Sequence, residues 1–400
     1  MYDINKIRSK FPMLNNNNIY LDNASSTYKP ISVINEIINF YKNKYSSYNR
    51  NIDLISINNK KNVEYTREYI SKFINSNYDE IVFTTGSTES INLIANSLLE
   101  FLDYNDNILI SIIEHHSNIL PWYKISEIKK IKINIIQIYN NGILNLNSIK
   151  KFINKKTKIV SISHVSNVLG IQNPITKIIK LIKSINENTI ILIDGSQSIS
   201  HINIDVKKLN CDFYIFSGHK IYSSYGIGIL YGKSKLLKKI SPYKLGGSII
   251  KYFKKNKPIY LNSPWKFESG SIDISGIFSI RKSIEFIKKI NLDKIILWER
   301  NITNYAINLL NKIPNIIIYG NINKTPIISF NIKNINCYDI NFLLNKNNII
   351  IRSGNQCSIP LMNRYNISGV CRISFALYTN YEDINTFIKK LKLIISTYKK

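Results

Sequence analysis

Ile190-Ile191-Leu192-Ile193-Asp194-Gly195-Ser196-Gln197, followed by Ser217-Gly218-His219-Lys220, decides how the rest of the chain is read. The apolar run has the length and β-branched content of a buried strand, and it ends on an aspartate. The lysine sits in a Ser-x-His-Lys turn downstream. A lysine amine can link to an aldehyde, and a carboxylate can keep a pyridine nitrogen protonated. Together they point to pyridoxal phosphate, whose ring then acts as an electron sink at the α-carbon of an amino acid. In a chain this rich in lysine, Lys220 alone would carry little. The pair with its flanks carries the reading.

Working outward, the same kind of run recurs. Ile81–Thr84, Asn107–Ser111, Ile133–Ile138, Lys158–Ser163 and Asp212–Phe216 read as further buried strands, and segments 31–44, 87–102 and 175–186 as helices. Such alternation predicts an α/β fold with a mainly parallel sheet between helices, its ligand beyond the carboxyl ends of the strands. From about Ile280 the pattern changes. A long helical stretch over roughly Phe278–Leu310, strands near 315–319, 325–332, 348–351 and 370–374, a helix near 339–345 and a last helix from Glu382 predict a smaller α+β domain.

Composition narrows the class. The chain has 400 residues, 44% of them hydrophobic, enough for a large core in two domains. No stretch approaches a membrane span and Met1–Lys6 has no signal character, so the expectation is a cytoplasmic protein. The net charge of +28 invites a nucleic-acid reading. The lysines are spread evenly among asparagine and isoleucine, as AT-rich coding would produce, and do not gather with aromatics. Specific nucleic-acid binding is therefore not expected. Cys211, Cys337, Cys357 and Cys371 are too few and scattered for a disulfide scaffold, and no CxxC pair exists for zinc.

Four further motifs join the aspartate and lysine. Thr84-Thr85-Gly86-Ser87-Thr88-Glu89 passes from a strand into a helix, where N–H groups and hydroxyls suit a phosphate. In Glu114-His115-His116 a histidine just past a strand can stack on a flat cofactor; adjacent histidines are not metal spacing, and no metal is expected. Ser163–Gly170 brings Asn167 to another strand end, where an amide can hydrogen-bond a ring oxygen or a carboxylate. Arg352-Ser353-Gly354-Asn355-Gln356-Cys357-Ser358-Ile359-Pro360 puts a cysteine in a polar loop with Arg352 near in sequence and Cys371-Arg372 beyond. That is a setting for a reactive thiol and for a guanidinium that binds a carboxylate. The other three cysteines lie in apolar segments and read as packing residues.

With these motifs in place the chain resembles a SufS-type (group II) cysteine desulfurase, within the class V aminotransferase branch of fold-type I pyridoxal-phosphate enzymes. The likeness runs from Tyr20-Leu21-Asp22-Asn23-Ala24 and Lys29-Pro30, through the motifs above and Gly226-Ile227-Gly228, to Gly246-Gly247, Phe267-Glu268-Ser269-Gly270, Arg352–Met362 and Cys371-Arg372. The resemblance implies that Lys220 holds the cofactor and shuttles the α-proton, His115 stacks on the ring, Asp194 pairs with its nitrogen and Gln197 meets its phenolic oxygen. Ser87, Thr88, Ser217 and His219 would hold the phosphate, with Ser271 supplied by the neighbouring subunit of a homodimer. Asn167 and Arg372 would position L-cysteine, Arg352 would steady the loop, and Cys357 would take the sulfur as a persulfide. It would then pass to an acceptor of the SufE or SufU kind and the Suf scaffold for iron–sulfur cluster assembly. The implied layout is an N-terminal segment 1–18 packed on the small domain, a large cofactor domain 19–285 and a small domain 286–400 carrying the cysteine loop.

The chain departs from the family pattern at three places. Asn49-Arg50-Asn51-Ile52-Asp53 lacks two family histidines, Gly270-Ser271-Ile272-Asp273 lacks a proline, and Asn355-Gln356 replaces a histidine pair. None removes a group that performs a chemical step. Three alternatives stand beside this reading. A selenocysteine lyase shares the scaffold. A class V aminotransferase would not need Cys357. A basic binding protein with a dead site is opposed by the intact Lys220, Asp194 and Cys357.

Overall fold

The computed structural model describes residues 2–46, 53–320 and 324–398. Seven strands form the main sheet: β1 Ile81–Thr84, β2 Asn107–Ser111, β3 Lys132–Ile136, β4 Thr157–Ser163, β5 Ile190–Asp194, β6 Phe213–Ser217 and β7 Gly228–Gly232. They run in the order β1-β7-β6-β5-β4-β2-β3. Every pair is parallel except those of β7, which lies antiparallel between β1 and β6.

The continuous apolar runs follow from burial on both faces. Ile191 and Ile193 enter one core layer with Tyr214 and Phe216, while Leu192 enters the other with Phe213 and Ile215. Successive side chains point to opposite faces, so a strand covered by helices twice over needs no polar alternation. The covering helices keep an apolar stripe: in Ile175–Ile185 the buried residues are Ile175, Ile178, Ile179 and Ile182, at helical spacing.

A second, antiparallel sheet has its own core. Its strands β8 Ile316–Tyr319, β9 Ile327–Ile332, β10 Arg352–Gly354 and β11 Val370–Ser374 lie in the order β8-β9-β11-β10. Helices Leu292–Leu310, Cys337–Asn345 and Tyr381–Thr397 pack with it. Ile19–Tyr20 pairs in parallel with Ile349–Ile350. The first helix, Ile4–Arg8, is anchored by Arg8 to Asp383 at 2.7 Å.

The expected strands are present with ends moved by a residue or two, and the helix over 31–44 is Ile31–Asn39 continued by a π-helical turn, Phe40–Lys44. One reading is refined and two elements are added. The helical stretch over Phe278–Leu310 is two helices: Ile274–Ile290 and Leu292–Leu310 are separated at Asn291, whose φ of 83° turns the chain and whose side chain caps the second helix. Strand β7 has no counterpart in the sequence reading, because the glycines at its two ends, Gly228 and Gly232, weaken its strand signal. Helix Leu54–Phe73 was also missed, since it carries many polar side chains and only a narrow buried stripe. The departure at residues 49–53 lies outside the described residues except for Asp53, which accepts from Ser56 N–H and caps that helix. No described helix is long and apolar enough to cross a membrane.

Candidate active site

The carboxyl ends of the strands meet in one rim. Ser163 of β4 is in register with Asp194 of β5, and Asp194 with Ile215 of β6. Gly228 of β7 faces Ser217 on one side and Thr84 on the other. A cavity of about 180 Å³ opens above this rim. Asp194, Gln197, Lys220, His115, Ser87, Thr88, Ser217, His219, Asn167, Arg352 and Arg372 all line it. Of the anticipated residues, Ser271 does not line it, being exposed past Gly270, and Cys357 is represented in the wall by its neighbour Gln356.

One end is built for an anion. Helix Ser87–Ser97 begins after Gly86, a cap residue with no side chain of its own to offer. Ser217 Oγ accepts from Ser87 N–H at 2.8 Å, and the Ser87 hydroxyl bonds those of Ser196 and Ser217, both at 2.7 Å. This hydroxyl cluster at a helix N-terminus adds donors to the positive end of the helix dipole. Gly228 permits it: a Cβ there would lie 2.4 Å from the Cα of Gly86. His219 stacks on Tyr225 with ring centroids 5.1 Å apart, and burial, with the nearby Lys220 and Lys29, pulls its pKa down to about 4.

At the centre, Asp194 Oδ1 accepts from Ser196 N–H at 2.9 Å. Gly195 carries no side chain because Tyr214 occupies that space, with its ring 2.1 Å from where a Cβ would stand. Burial pulls the Lys220 amine down to about 8, and Asp194 opposes the fall. His115 is held by Ser117, whose N–H donates to Nδ1 at 3.2 Å, so the proton is assigned to Nε2. Burial, followed by the charge of Lys220, lowers His115 to about 3 and keeps the ring neutral. Gln197 already donates to Ala24 O at 2.7 Å, leaving one amide hydrogen for a ligand.

At the other end two guanidinium groups lie side by side. Arg352 and Arg372 are cross-strand partners on β10 and β11. Both donate to the Ser25 hydroxyl, at 2.8 and 2.9 Å. Arg372 also donates to Asn167 O at 3.0 Å and pairs with Asp22 at 2.9 Å. Like charges directly opposite repel. Burial, together with Arg352, lowers the Arg372 pKa against the pull of Asp22. Arg372 Nε and Gln356 Oε1 are buried without a partner. Asn167 spends an amide hydrogen on Gln356 O at 2.8 Å, so it holds the cysteine loop as well as lining the cavity.

The residues present fit pyridoxal phosphate. A helix start ringed by hydroxyls suits its phosphate, a strand-end carboxylate its ring nitrogen, and a lysine of lowered pKa its aldehyde. The orphaned donor Arg372 Nε, with a second guanidinium alongside, suits an amino-acid carboxylate. Sequence reasoning assigned no role to Asp22, Ser25, Ser196 or His116. Asp22 stood in a quoted motif, but its partner is 350 residues away and no local signal joins them. Among the described residues no group of histidine, cysteine and carboxylate side chains could hold a metal.

Comparison with known proteins agrees with this geometry. The family model described as aminotransferase class-V matches residues 19–387. A cysteine desulfurase of Wigglesworthia glossinidia brevipalpis is 47% identical over 98% of this chain and 97% of its own length. One from Pectobacterium carotovorum subsp. carotovorum is 36% identical over 98% of both. The apo structure of a cysteine desulfurase from Thermococcus onnurineus superposes with a TM-score of 0.94 at 29% identity, covering 98% of each chain. The Escherichia coli cysteine desulfurase CsdA, solved as its S-sulfonic acid, gives 0.93 at 26%, covering 99% of each.

Proposed function

The chain belongs to the class V aminotransferase family and is a pyridoxal-phosphate-dependent cysteine desulfurase, and we propose that it is of the SufS type, with Cys357 as the sulfur-accepting nucleophile. The observation that carries the proposal is the short tether of Cys357. Only residues 355–358 separate β10 from helix Ile359–Tyr365, and that loop is bonded to the wall of the Lys220 cavity. A thiol so placed needs no long mobile loop to reach a substrate sulfur.

When bound, the cofactor supplies an electron sink that makes the α-proton of L-cysteine removable. Asp194 would hold the ring nitrogen, His115 the ring face, Gln197 the phenolic oxygen, and Ser87, Thr88, Ser217 and His219 the phosphate. Arg372, aided by Arg352, would bind the substrate carboxylate, because Asp22 neutralises only one of the two cations. Lys220, neutral above a pKa of about 8, takes the α-proton and returns a proton later. Cys357 attacks the substrate sulfur: an S–S bond forms as the Cβ–S bond breaks, and the carbon fragment takes up a proton and leaves as alanine. The products are one alanine and one persulfide, so no outside oxidant or reductant is needed.

The finer reading includes a homodimer, the domain division at residues 18 and 285, and delivery of the persulfide sulfur to an acceptor thiol of the SufE or SufU kind for iron–sulfur cluster assembly. Ser271 supports the dimer: it is exposed, and Gly270 N–H donates to Gly247 O, in a segment whose Leu245 and Phe253 are also exposed. A second copy would cover these apolar groups and bring Ser271 to its partner's phosphate end.

The test is Cys357→Ser. This variant is expected to bind cofactor and cysteine as the parent does and to release no sulfide. Mass spectrometry of the parent after incubation with cysteine is expected to find one added sulfur, on Cys357. Added sulfur on Cys371, or full desulfuration by the variant, would reject the assignment.

A further inference from the structure

Cys357 occupies an uncommon backbone conformation. Its φ is +55° and that of Gln356 is +54°, two successive left-handed residues of which neither is glycine. Each such residue is strained and persists only where its surroundings hold it. The helix that follows, Ile359–Tyr365, receives no hydrogen bond from the side chain of its own cap residue, Ser358.

Besides the bonds from Asn167 to Gln356 O and from Cys357 N–H to Asn355 Oδ1, the restraints come from the corner that follows β2. His116 N–H donates to Cys357 O at 2.8 Å. Ile359 N–H, the first of the helix, donates to His116 Nε2 at 3.2 Å. Ser358 Oγ donates to Glu114 O at 3.0 Å. The corner is itself anchored from below: the buried carboxylate of Glu114 accepts from Ser111, from both N–H and Oγ of Ser163, and from Asn118.

We infer that His116 is the positioning residue of the sulfur-accepting loop, its imidazole capping the helix after Cys357 from across the interface between the two sheets. The neutral ring must present Nε2 as acceptor, which puts its proton on Nδ1. The backbone bond to Cys357 O and the imidazole bond to Ile359 N–H both hold the carboxyl side of the strained pair, while Asn167 holds Gln356 O within it. Loss of the imidazole frees the helix start and lets residues 356–357 relax toward ordinary conformations, moving the thiol off its line of attack. The inference rests on the reading of Cys357 as nucleophile.

Two rates on the holoenzyme separate positioning from general structure. Exchange of the substrate α-proton with deuterated solvent reports Lys220 and the cofactor and does not need Cys357. Single-turnover persulfide formation on Cys357, read by mass spectrometry, needs both. In His116→Ala the persulfide rate is expected to fall about 10-fold, the scale of a lost hydrogen bond and a misplaced reactant, with α-exchange within about 2-fold of the parent. His116→Gln places an acceptor near the same point and should restore the persulfide rate to within about 3-fold. Persulfide formation in His116→Ala within about 2-fold of the parent would overturn the inference. So would equal loss of both rates, or a glutamine variant as slow as the alanine one. Sulfur found on another cysteine of the parent would instead reject Cys357 as nucleophile, and this inference with it.

Discussion

The Lys220 amine offers a sharp quantitative test. Its pKa is drawn from 10.5 down to about 8 by burial, with Arg372 and Arg352 acting in the same sense and Asp194 against. At pH 7 a gap of one unit leaves about 9% of the amine neutral, whereas an unshifted lysine would hold about 0.03%. The pocket thus raises the reactive form about 300-fold. The sign follows: a lowered amine pKa means that nucleophilic amine accumulates as pH rises through 8 and is complete above it. Apo-enzyme mixed with pyridoxal phosphate should therefore capture the cofactor faster by about 10-fold per pH unit below 8 and level off above about 9. Stopped-flow absorbance gives the rate, and borohydride reduction with mass spectrometry places the link on Lys220. In Asp194→Asn the anion that raises the amine pKa is gone, so the levelling point should move to lower pH. A rate still climbing steeply at pH 10, or a midpoint that rises in Asp194→Asn, would refute the electrostatic reasoning.

Three other outcomes follow from named contacts. In turnover, Asp194→Asn should be slower by about 100-fold or more with cofactor still bound, because an amide cannot hold the ring nitrogen protonated by charge; a rate within a few-fold of the parent would contradict that role. Arg67, fully buried, forms a two-pronged pair with Glu268 at 2.6 and 2.9 Å, and Glu268 Oε1 also accepts from Phe83 N–H. Glu268→Gln should cost about 3 kcal/mol in urea unfolding, the low end for a broken buried pair because Glu64 still faces Arg67, and a loss below about 1 kcal/mol would show the pair to be dispensable. Gly228→Ala should weaken cofactor affinity with the sheet intact by circular dichroism, since a Cβ 2.4 Å from Gly86 displaces the helix start at Ser87; unchanged affinity would mean that this turn does not hold the phosphate.

The sequence alone determined the alternating core and most of the chemistry. Strand runs such as Ile190–Asp194 are legible because periodicity and β-branching act within a few residues, and Asp194 and Lys220 because one closes such a run and the other stands in the turn just after one. The lone polar-loop cysteine among apolar ones was legible for the same local reason: Cys211, Cys337 and Cys371 are buried and Cys357 is only partly so. The break at Asn291 and strand β7 escaped, since asparagine and glycine permit several conformations and the surrounding packing chooses among them. Only the tertiary structure decided how charge is balanced and the thiol held. Register sets Arg352 against Arg372, the chain's return sets Asp22 on Arg372, and the corner after β2 sets His116 under Ile359. The first two are settled inside or against the smaller sheet, by strand register and by the return of the N-terminal segment onto it, and the third exists because two sheets with separate cores meet along the rim where the strands end.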